Sequence, residues 1–127
     1  MYYLTITVEF EAAHRLPDYP GKCNRLHGHN WKVEVTIAGS RLNSLGMLMD
    51  FRELKAEVNT VVDRLDHYYL NELEAFATIN PTAEHIAKYF YDELCNRTSF
   101  TDNAIRIDSV QVWESPKSAV LYRPSGL

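Results

Sequence analysis

Strict alternation of apolar and polar side chains in two stretches is the feature that most constrains the fold of this chain. The apolar members of the first stretch, YLTITVEF, are Leu4, Ile6, Val8 and Phe10. The second stretch, residues 29–38, also carries apolar side chains at every second position. Because successive side chains of a strand point to opposite faces, both stretches predict strands with one buried face and one polar face.

Two longer stretches have the periodicity of amphipathic helices. Residues 50–65, DFRELKAEVNTVVDRL, and residues 80–94, NPTAEHIAKYFYDEL, place apolar side chains at every third or fourth position. Asp50 begins a capping-box pattern, with Asp in place of Ser or Thr. Asn80 is the expected N-cap of the second helix, and Pro81 is expected at its first helical position.

Two further strands are expected in IRIDSVQVWE and SAVLYR, joined by a tight turn at residues 115–117. The alternation changes phase around Ser109, which indicates a β-bulge. The order ββααββ predicts an α+β fold, in which a four-stranded, mostly antiparallel sheet carries two helices on one face. We expect one domain over residues 1–127, with sheet edges that pair with neighbouring subunits because nothing in the sequence covers them.

Composition and charge exclude several classes of protein. The formal net charge of −4 argues against a general nucleic-acid binder, because neutralising phosphates requires a basic face. The two cysteines, Cys23 and Cys95, are too few for a disulfide framework, and Cys95 is interpreted as structural. The N-terminal MYYLTITVEF does not read as a signal peptide, and no segment approaches the ~20 apolar residues of a membrane helix. We therefore expect a cytoplasmic protein without nucleic-acid or membrane partners.

Three histidines fall where the first two strands are expected to meet. His27 and His29 lie on one face of the second strand, and His14 shares that parity if the first strand extends through EAAH. Three neutral imidazoles form the usual catalytic zinc site and leave a position for water or substrate. The alternative is that the H-x-H pair binds nothing, as most such pairs do.

A thiol and an Asp-His pair are candidates for proton transfer. Cys23 has Lys22 and Arg25 beside it, and positive charge favours a thiolate that acts as a base, nucleophile or metal ligand. An inert small residue is the alternative. Asp66 and His67 follow the first helix, where a carboxylate can fix the imidazole tautomer. A solvated helix terminus is the alternative reading for that pair.

Glu114 ends the third strand with the parity of Val110 and Val112, which puts a carboxylate on an apolar face. A buried carboxylate needs a partner. The partner is either an arginine, in a structural salt bridge, or a ligand with two parallel N–H donors, as in a guanidine-like heterocycle.

Taken together, these residues resemble the 6-pyruvoyl-tetrahydropterin synthase family, and within it the 6-carboxy-tetrahydropterin synthase branch of queuosine (deazapurine) biosynthesis. The resemblance covers essentially the whole chain. It rests on six segments in order, which are FEAAHRLP, CNRLHGHNW, GMLMDFRELK, LDHYYLN, NPTAEHIAKYFYD and WESPKSAVLYRP. The C-x3-H-G-H spacing resembles the carboxy-forming enzymes, whereas the pyruvoyl-forming enzymes typically have a longer spacing.

The resemblance implies a role for each candidate residue. The implied zinc ligands are His14, His27 and His29. The implied catalytic residues are Cys23, Asp66 and His67, and the implied substrate-binding residues are Glu114, which anchors the pterin ring, and Thr82. The implied tunnelling fold joins the sheets of several subunits into a barrel. Trimers then stack into a homohexamer, and the Asp-His pair meets the cysteine across a subunit boundary.

The implied reaction converts 7,8-dihydroneopterin triphosphate to 6-carboxy-tetrahydropterin, acetaldehyde and triphosphate, with Zn²⁺ as cofactor. Charge alone makes Arg15, Lys22 and Arg25 candidates to meet the triphosphate. One alternative is the pyruvoyl-forming reaction of biopterin synthesis. Another is a non-catalytic zinc or pterin-binding module, although such a module would be expected to have lost one of the catalytic residues.

Overall fold

The structure, a computed structural model, describes residues 1–124 and contains one antiparallel sheet. Its strands, in the order β1-β2-β3-β4, are β1 (Tyr2–His14), β2 (His27–Gly39), β3 (Arg106–Ser115) and β4 (Ser118–Tyr122). The helices between β2 and β3 are α1 (Phe51–Val62), α2 (Ala83–Leu94) and the four-residue α3 (Thr98–Thr101). The predicted ββααββ order is confirmed, and α3 is a short addition to it. None of the described helices is long and apolar enough to cross a membrane.

The β1–β2 hairpin keeps one register along its whole length. The pairing runs without a shift from Tyr2 opposite Gly39 to His14 opposite His27. The predicted extension of the first strand to His14 is therefore confirmed, and β2 begins two residues earlier than expected. This register brings the last residue of β1 directly against the first residue of β2.

One face of the sheet is buried by the two long helices. The fully buried side chains of β2 on this face are Trp31, Val33, Val35 and Ile37. Helix α1 packs against β1, whereas α2 packs against β3 and β4. The opposite face carries exposed side chains such as Thr5, Thr7 and Glu9. The predicted arrangement of two helices on one face is confirmed.

A β-bulge interrupts the pairing of β2 with β3. Thr36 lies opposite Ser109 and Ile37 lies opposite Ile107, so Asp108 is the extra residue. Burial alone would raise the pKa of Asp108, but hydrogen bonds from Arg106 and Arg123 hold it below its usual value. The bulge that the phase change predicted around Ser109 is thus confirmed.

The start of α2 differs from the sequence-based expectation. The helix begins at Ala83, and its N-cap is Thr82, whose hydroxyl oxygen accepts a hydrogen bond from the His85 N–H at 3.2 Å. The predictions of Asn80 as N-cap and of Pro81 at the first helical position are therefore wrong. The reason is that the carbonyl of Pro81 lies 2.8 Å from the Nδ1 atom of His14, instead of joining the first helical turn. Helix α1 does begin as expected, because Asp50 accepts from the Arg52 N–H at 2.8 Å.

Substitution at the two candidate N-caps tests this assignment. Thr82→Ala is expected to lower the free energy of unfolding by about 1 kcal/mol, because it leaves an N–H of the first turn unpaired. Thr82→Ser keeps the hydroxyl and should retain most of the stability. Asn80→Ala is the matched control, since the exposed Asn80 side chain does not cap the helix, and urea denaturation of the metal-free protein measures all three. A larger loss for Asn80→Ala than for Thr82→Ala would contradict the assignment.

Candidate metal centre and active site

Three imidazoles converge where β1 ends and β2 begins. The ring centroids of His14, His27 and His29 are 4.5, 5.0 and 4.7 Å apart in pairs. One nitrogen from each ring lies within 4.8 Å of the other two. The strand parity and the unshifted hairpin register produce this arrangement, so histidines from two different strands form one cluster.

In two of the three rings, a hydrogen bond at Nδ1 leaves Nε2 as the nitrogen that can bind a metal ion. The Nδ1 atom of His14 lies 2.8 Å from the Pro81 carbonyl oxygen, and that of His27 lies 2.7 Å from the Arg25 carbonyl oxygen. A carbonyl only accepts, so Nδ1 carries the hydrogen and Nε2 carries the lone pair. The Nε2 atoms of all three histidines are buried and have no hydrogen-bond partner.

The surroundings favour the neutral form of these imidazoles. Burial lowers the pKa of His14 and of His29, and the neighbouring His27 lowers both further. The carboxylate of Glu114, whose Oε1 lies 3.7 Å from Nε2 of His29, opposes the shift without reversing it. Neutral imidazoles are the form that binds a metal ion.

The cluster fits a divalent transition-metal ion. Three buried Nε2 atoms without partners would be satisfied by one ion, and a three-histidine donor set leaves a coordination position for water or substrate. Trp31 forms the floor beneath the cluster, with ring centroids 5.1 Å from His14 and 5.2 Å from His29. Its Nε1–H donates to the Ala12 carbonyl at 3.3 Å, which fixes the indole.

Asp66 and His67 form a pair within one chain. Asp66 Oδ1 lies 2.9 Å from His67 Nδ1 and accepts the Glu11 backbone N–H at 3.0 Å. The Glu11 N–H and then the imidazole lower the pKa of Asp66. His67 has a φ of 64°, and this left-handed backbone brings its side chain against the preceding carboxylate. The two adjacent side chains can meet because the pair lies beyond the end of α1, where helical geometry does not hold neighbours apart.

Two cavities border the histidine cluster. A cavity of about 500 Å³ is lined by His29 and His67, and one of about 580 Å³ is lined by His29 and Glu114. Gly28 lines both, and a Cβ atom there would meet no other atom within 4 Å. The second cavity also contains Trp113. His29 therefore shares one cavity with His67 and the other with the Glu114 carboxylate.

The remaining candidates do not join the cluster. Cys23 is a half-buried free thiol in a single 3₁₀ turn, Lys22–Asn24, and it is not one of the three clustered donors. Arg15 is engaged with Asn24, whose Oδ1 accepts from its Nη2 at 3.0 Å, so it braces this loop. Thr82 caps α2 beside Pro81, and it lines neither of the two cavities.

Sequence reasoning missed Glu11 as a site residue. Its Oε2 atom lies 3.3 Å from Nε2 of His67. Its parity identified it only as an exposed residue of β1. No local signal could have found it, because its partner comes from a loop 55 or more residues away along the chain.

The sequence matches the family model described as "6-pyruvoyl tetrahydropterin synthase" over residues 3–125. The chain belongs to the 6-pyruvoyl tetrahydropterin synthase family. The resemblance noted from the sequence is thereby confirmed.

Characterised relatives within the family carry two names. A 6-carboxy-5,6,7,8-tetrahydropterin synthase of Synechocystis is 41% identical over 118 residues, covering 89% of this chain and 86% of the relative. One from Haemophilus influenzae is 32% identical and covers 97% and 99%. A 6-pyruvoyl tetrahydrobiopterin synthase of Drosophila melanogaster is 34% identical and covers 95% and 79%. The fold matches the Caenorhabditis elegans 6-pyruvoyl tetrahydropterin synthase structure with a TM-score of 0.84 at 30% identity, covering 98% and 96%.

Metal titration tests the histidine cluster. We expect one divalent ion to bind per chain at pH 7.5. Titration with Co²⁺, monitored by the visible absorption of the bound ion, measures the binding. Because the pKa values of His14 and His29 are lowered, affinity should stay nearly constant near neutral pH and fall only in more acidic solution, where these two imidazoles must lose a proton to bind. His27→Ala should weaken binding by more than about 100-fold. His85→Ala, a histidine outside the cluster, is the control, and equal losses in both variants would refute the assignment.

Proposed function

We propose that this chain is a 6-carboxy-5,6,7,8-tetrahydropterin synthase, a zinc-dependent lyase. Its proposed substrate is 7,8-dihydroneopterin triphosphate, and the products are 6-carboxy-tetrahydropterin, acetaldehyde and triphosphate, for queuosine biosynthesis. The observation that carries the proposal is the set of three buried, partner-free Nε2 atoms of His14, His27 and His29, of which His29 also lines both cavities. Relatives of that name, at 41% and 32% identity over most of their length, support it.

Zinc is the metal that suits this donor set best, because three neutral imidazoles with an open position are its usual catalytic ligands. When bound, the ion would act as a Lewis acid that makes C–H bonds beside coordinated hydroxyl groups more acidic. The chain's own contribution is the fixed orientation of its rings. The carbonyls of Pro81 and Arg25 hold His14 and His27 with Nε2 directed inward.

Glu114 is the proposed anchor for the pterin ring. Its carboxylate lies in the cavity of about 580 Å³, and a pterin offers two parallel N–H donors that a carboxylate accepts in bidentate fashion. Glu114 Oε1 lies 3.7 Å from His29 Nε2, so the proposed anchor adjoins the residues that would hold the metal. A substrate anchored by Glu114 would place its side chain beside the histidine cluster.

Cys23 and His67 are the proposed proton-transfer residues. Cys23, as a thiolate, would take a proton from the substrate side chain, and its loop directly precedes β2 and the first metal ligand of that strand. His67, oriented by Asp66 through Nδ1, would return a proton to the substrate. The base and the metal would then act on neighbouring atoms of one side chain. Thr82 is proposed to support the pterin pocket through the start of α2.

The proposed assembly is a cytoplasmic homohexamer of single-domain chains, built as a dimer of trimers with sites between subunits. Support comes from the sheet, whose edge strands are β1 and β4. An open sheet edge offers unpaired N–H and C=O groups to a neighbouring chain. In the described residues, a single bridge between Ala13 and Tyr69 covers part of the β1 edge.

The pyruvoyl-forming reaction is the second candidate, and the 34% identity to the Drosophila relative favours it. The C-x3-H-G-H spacing of Cys23 and His27 favours the carboxy-forming reaction instead.

Mass spectrometry of the products distinguishes the two reactions. Zinc-loaded protein is incubated with 7,8-dihydroneopterin triphosphate, and we expect 6-carboxy-tetrahydropterin together with acetaldehyde. Formation of 6-pyruvoyl-tetrahydropterin would agree with the proposed site residues and contradict the proposed product. Absence of turnover by fully metal-loaded protein would favour the alternative that the chain is a non-catalytic zinc or pterin-binding module.

Replacement of the thiol separates catalysis from metal binding. Cys23→Ala is expected to keep a full metal content and to lower kcat by about 100-fold or more, because a general base is removed. Metal analysis and steady-state kinetics on the same preparation measure both quantities, and Cys95→Ala is the matched control. Unchanged turnover would disprove the role of the thiol as base, and loss of the metal would make Cys23 a ligand.

A further inference from the structure

The imidazole of His67 faces a carboxylate on each of its two nitrogens. Asp66 Oδ1 lies 2.9 Å from Nδ1, and Glu11 Oε2 lies 3.3 Å from Nε2. The role proposed above uses only Asp66. Glu11 lies near the C-terminal end of β1, so the second carboxylate reaches His67 from a different element.

Backbone hydrogen bonds fix the position of Glu11 relative to His67. The Glu11 N–H donates to Asp66 Oδ1 at 3.0 Å, and the His67 N–H donates to the Glu11 carbonyl at 2.6 Å. The Ala13 N–H donates to the Tyr68 carbonyl at 3.2 Å and extends the contact. The loop after α1 is thus joined to the β1 edge at the residues that carry the three ionisable groups.

The proton count around His67 follows from these contacts. A neutral imidazole has one N–H and one lone pair. With the hydrogen on Nδ1 toward Asp66, the Nε2 lone pair would face the Glu11 carboxylate, and two acceptors at 3.3 Å repel each other. A hydrogen on Nε2 converts that repulsion into attraction between an imidazolium and a carboxylate. Two ionised carboxylates therefore favour a ring with hydrogen on both nitrogens.

The other groups around His67 do not offset these negative charges. The titratable side chains that line the two cavities at His67 are Glu9, Glu11, His29, Asp66, Tyr68 and Tyr69. Neither cavity has a lysine or arginine among its lining residues in the part of the chain that the structure describes. A positive imidazolium is the complement of this set of charges.

We infer that Glu11 is a positioning residue that holds a proton on Nε2 of His67, so that His67 enters the reaction as an acid. The inference rests on the proposed function. Cys23 takes the first proton from the substrate, and His67 later gives its Nε2 proton to a substrate carbon or oxygen. The ring is then neutral, with its remaining hydrogen on Nδ1 toward Asp66. The Nε2 lone pair again faces Glu11, which favours uptake of a proton from solvent before the next turnover.

The direct test is a substitution that removes the charge of Glu11 and keeps the shape of its side chain. In Glu11→Gln the amide can donate to the Nε2 lone pair, so the variant supports the neutral ring that the native carboxylate disfavours. Because Glu11 and His67 are 62% and 72% exposed, we expect only an about 5- to 10-fold fall in kcat. KM should change little, and the basic limb of the kcat–pH profile should move to lower pH. Glu34→Gln, which removes a carboxylate from the same sheet face outside these cavities, is the matched control.

A double-mutant cycle shows whether Glu11 acts through His67. In a His67→Ala background, Glu11→Gln should cause no further fall in kcat. An additive effect in that background, or an unchanged pH profile in Glu11→Gln, would overturn the inference. A KM increase without a kcat change would also overturn it, since Glu11 would then only bind substrate. Turnover by the wild-type protein is measured first, so failure of the proposed function appears as no wild-type product and is distinct from these outcomes.

Discussion

The unshifted pairing of β1 with β2 is the constraint on which the rest of the site depends. It sets His14 against His27 and leaves His29 two residues further along the same face. Because side chains alternate along a strand, a slip of one residue would turn one imidazole to the opposite face of the sheet. The apolar residues of the same hairpin resist that slip, since they would leave the core together with the imidazole. Packing energy distributed over the hairpin therefore fixes the geometry of three polar side chains at its end.

Much of this arrangement follows from the sequence, because period-two alternation is a local signal. It predicted the strands, the buried face and the common parity of His14, His27 and His29. The N-cap of α2 could not be predicted, because the Pro81 carbonyl turns to an imidazole 67 residues away. Glu11 escaped notice for the same reason, since its partner lies in a distant loop. A feature that depends on one long-range hydrogen bond cannot be predicted from the sequence pattern. A feature that depends on many buried side chains can be predicted, because each of them contributes to the pattern.

The histidines of the site lie in two different electrostatic environments. On the helix side of the sheet, burial lowers the pKa of His14 and of His29, which favours the neutral ring that a metal ion binds. At the β1 edge, the exposed carboxylates of Asp66 and Glu11 lie beside the two nitrogens of His67. One residue type thus serves two chemistries, and depth in the fold separates them. The proposed reaction needs both, since a metal requires a lone pair and an acid requires a proton.

The hydrogen bond between His14 and the Pro81 carbonyl ties the start of α2 to the proposed metal ligands. An ion that holds His14 would therefore also hold the segment that leads into α2, and its binding free energy would add to that of folding. Chelation should loosen this segment first and expose the chain around Ile79 and Asn80 to proteases. Metal supply would in this way govern how long each copy of the protein survives in the cell, in addition to how fast it works.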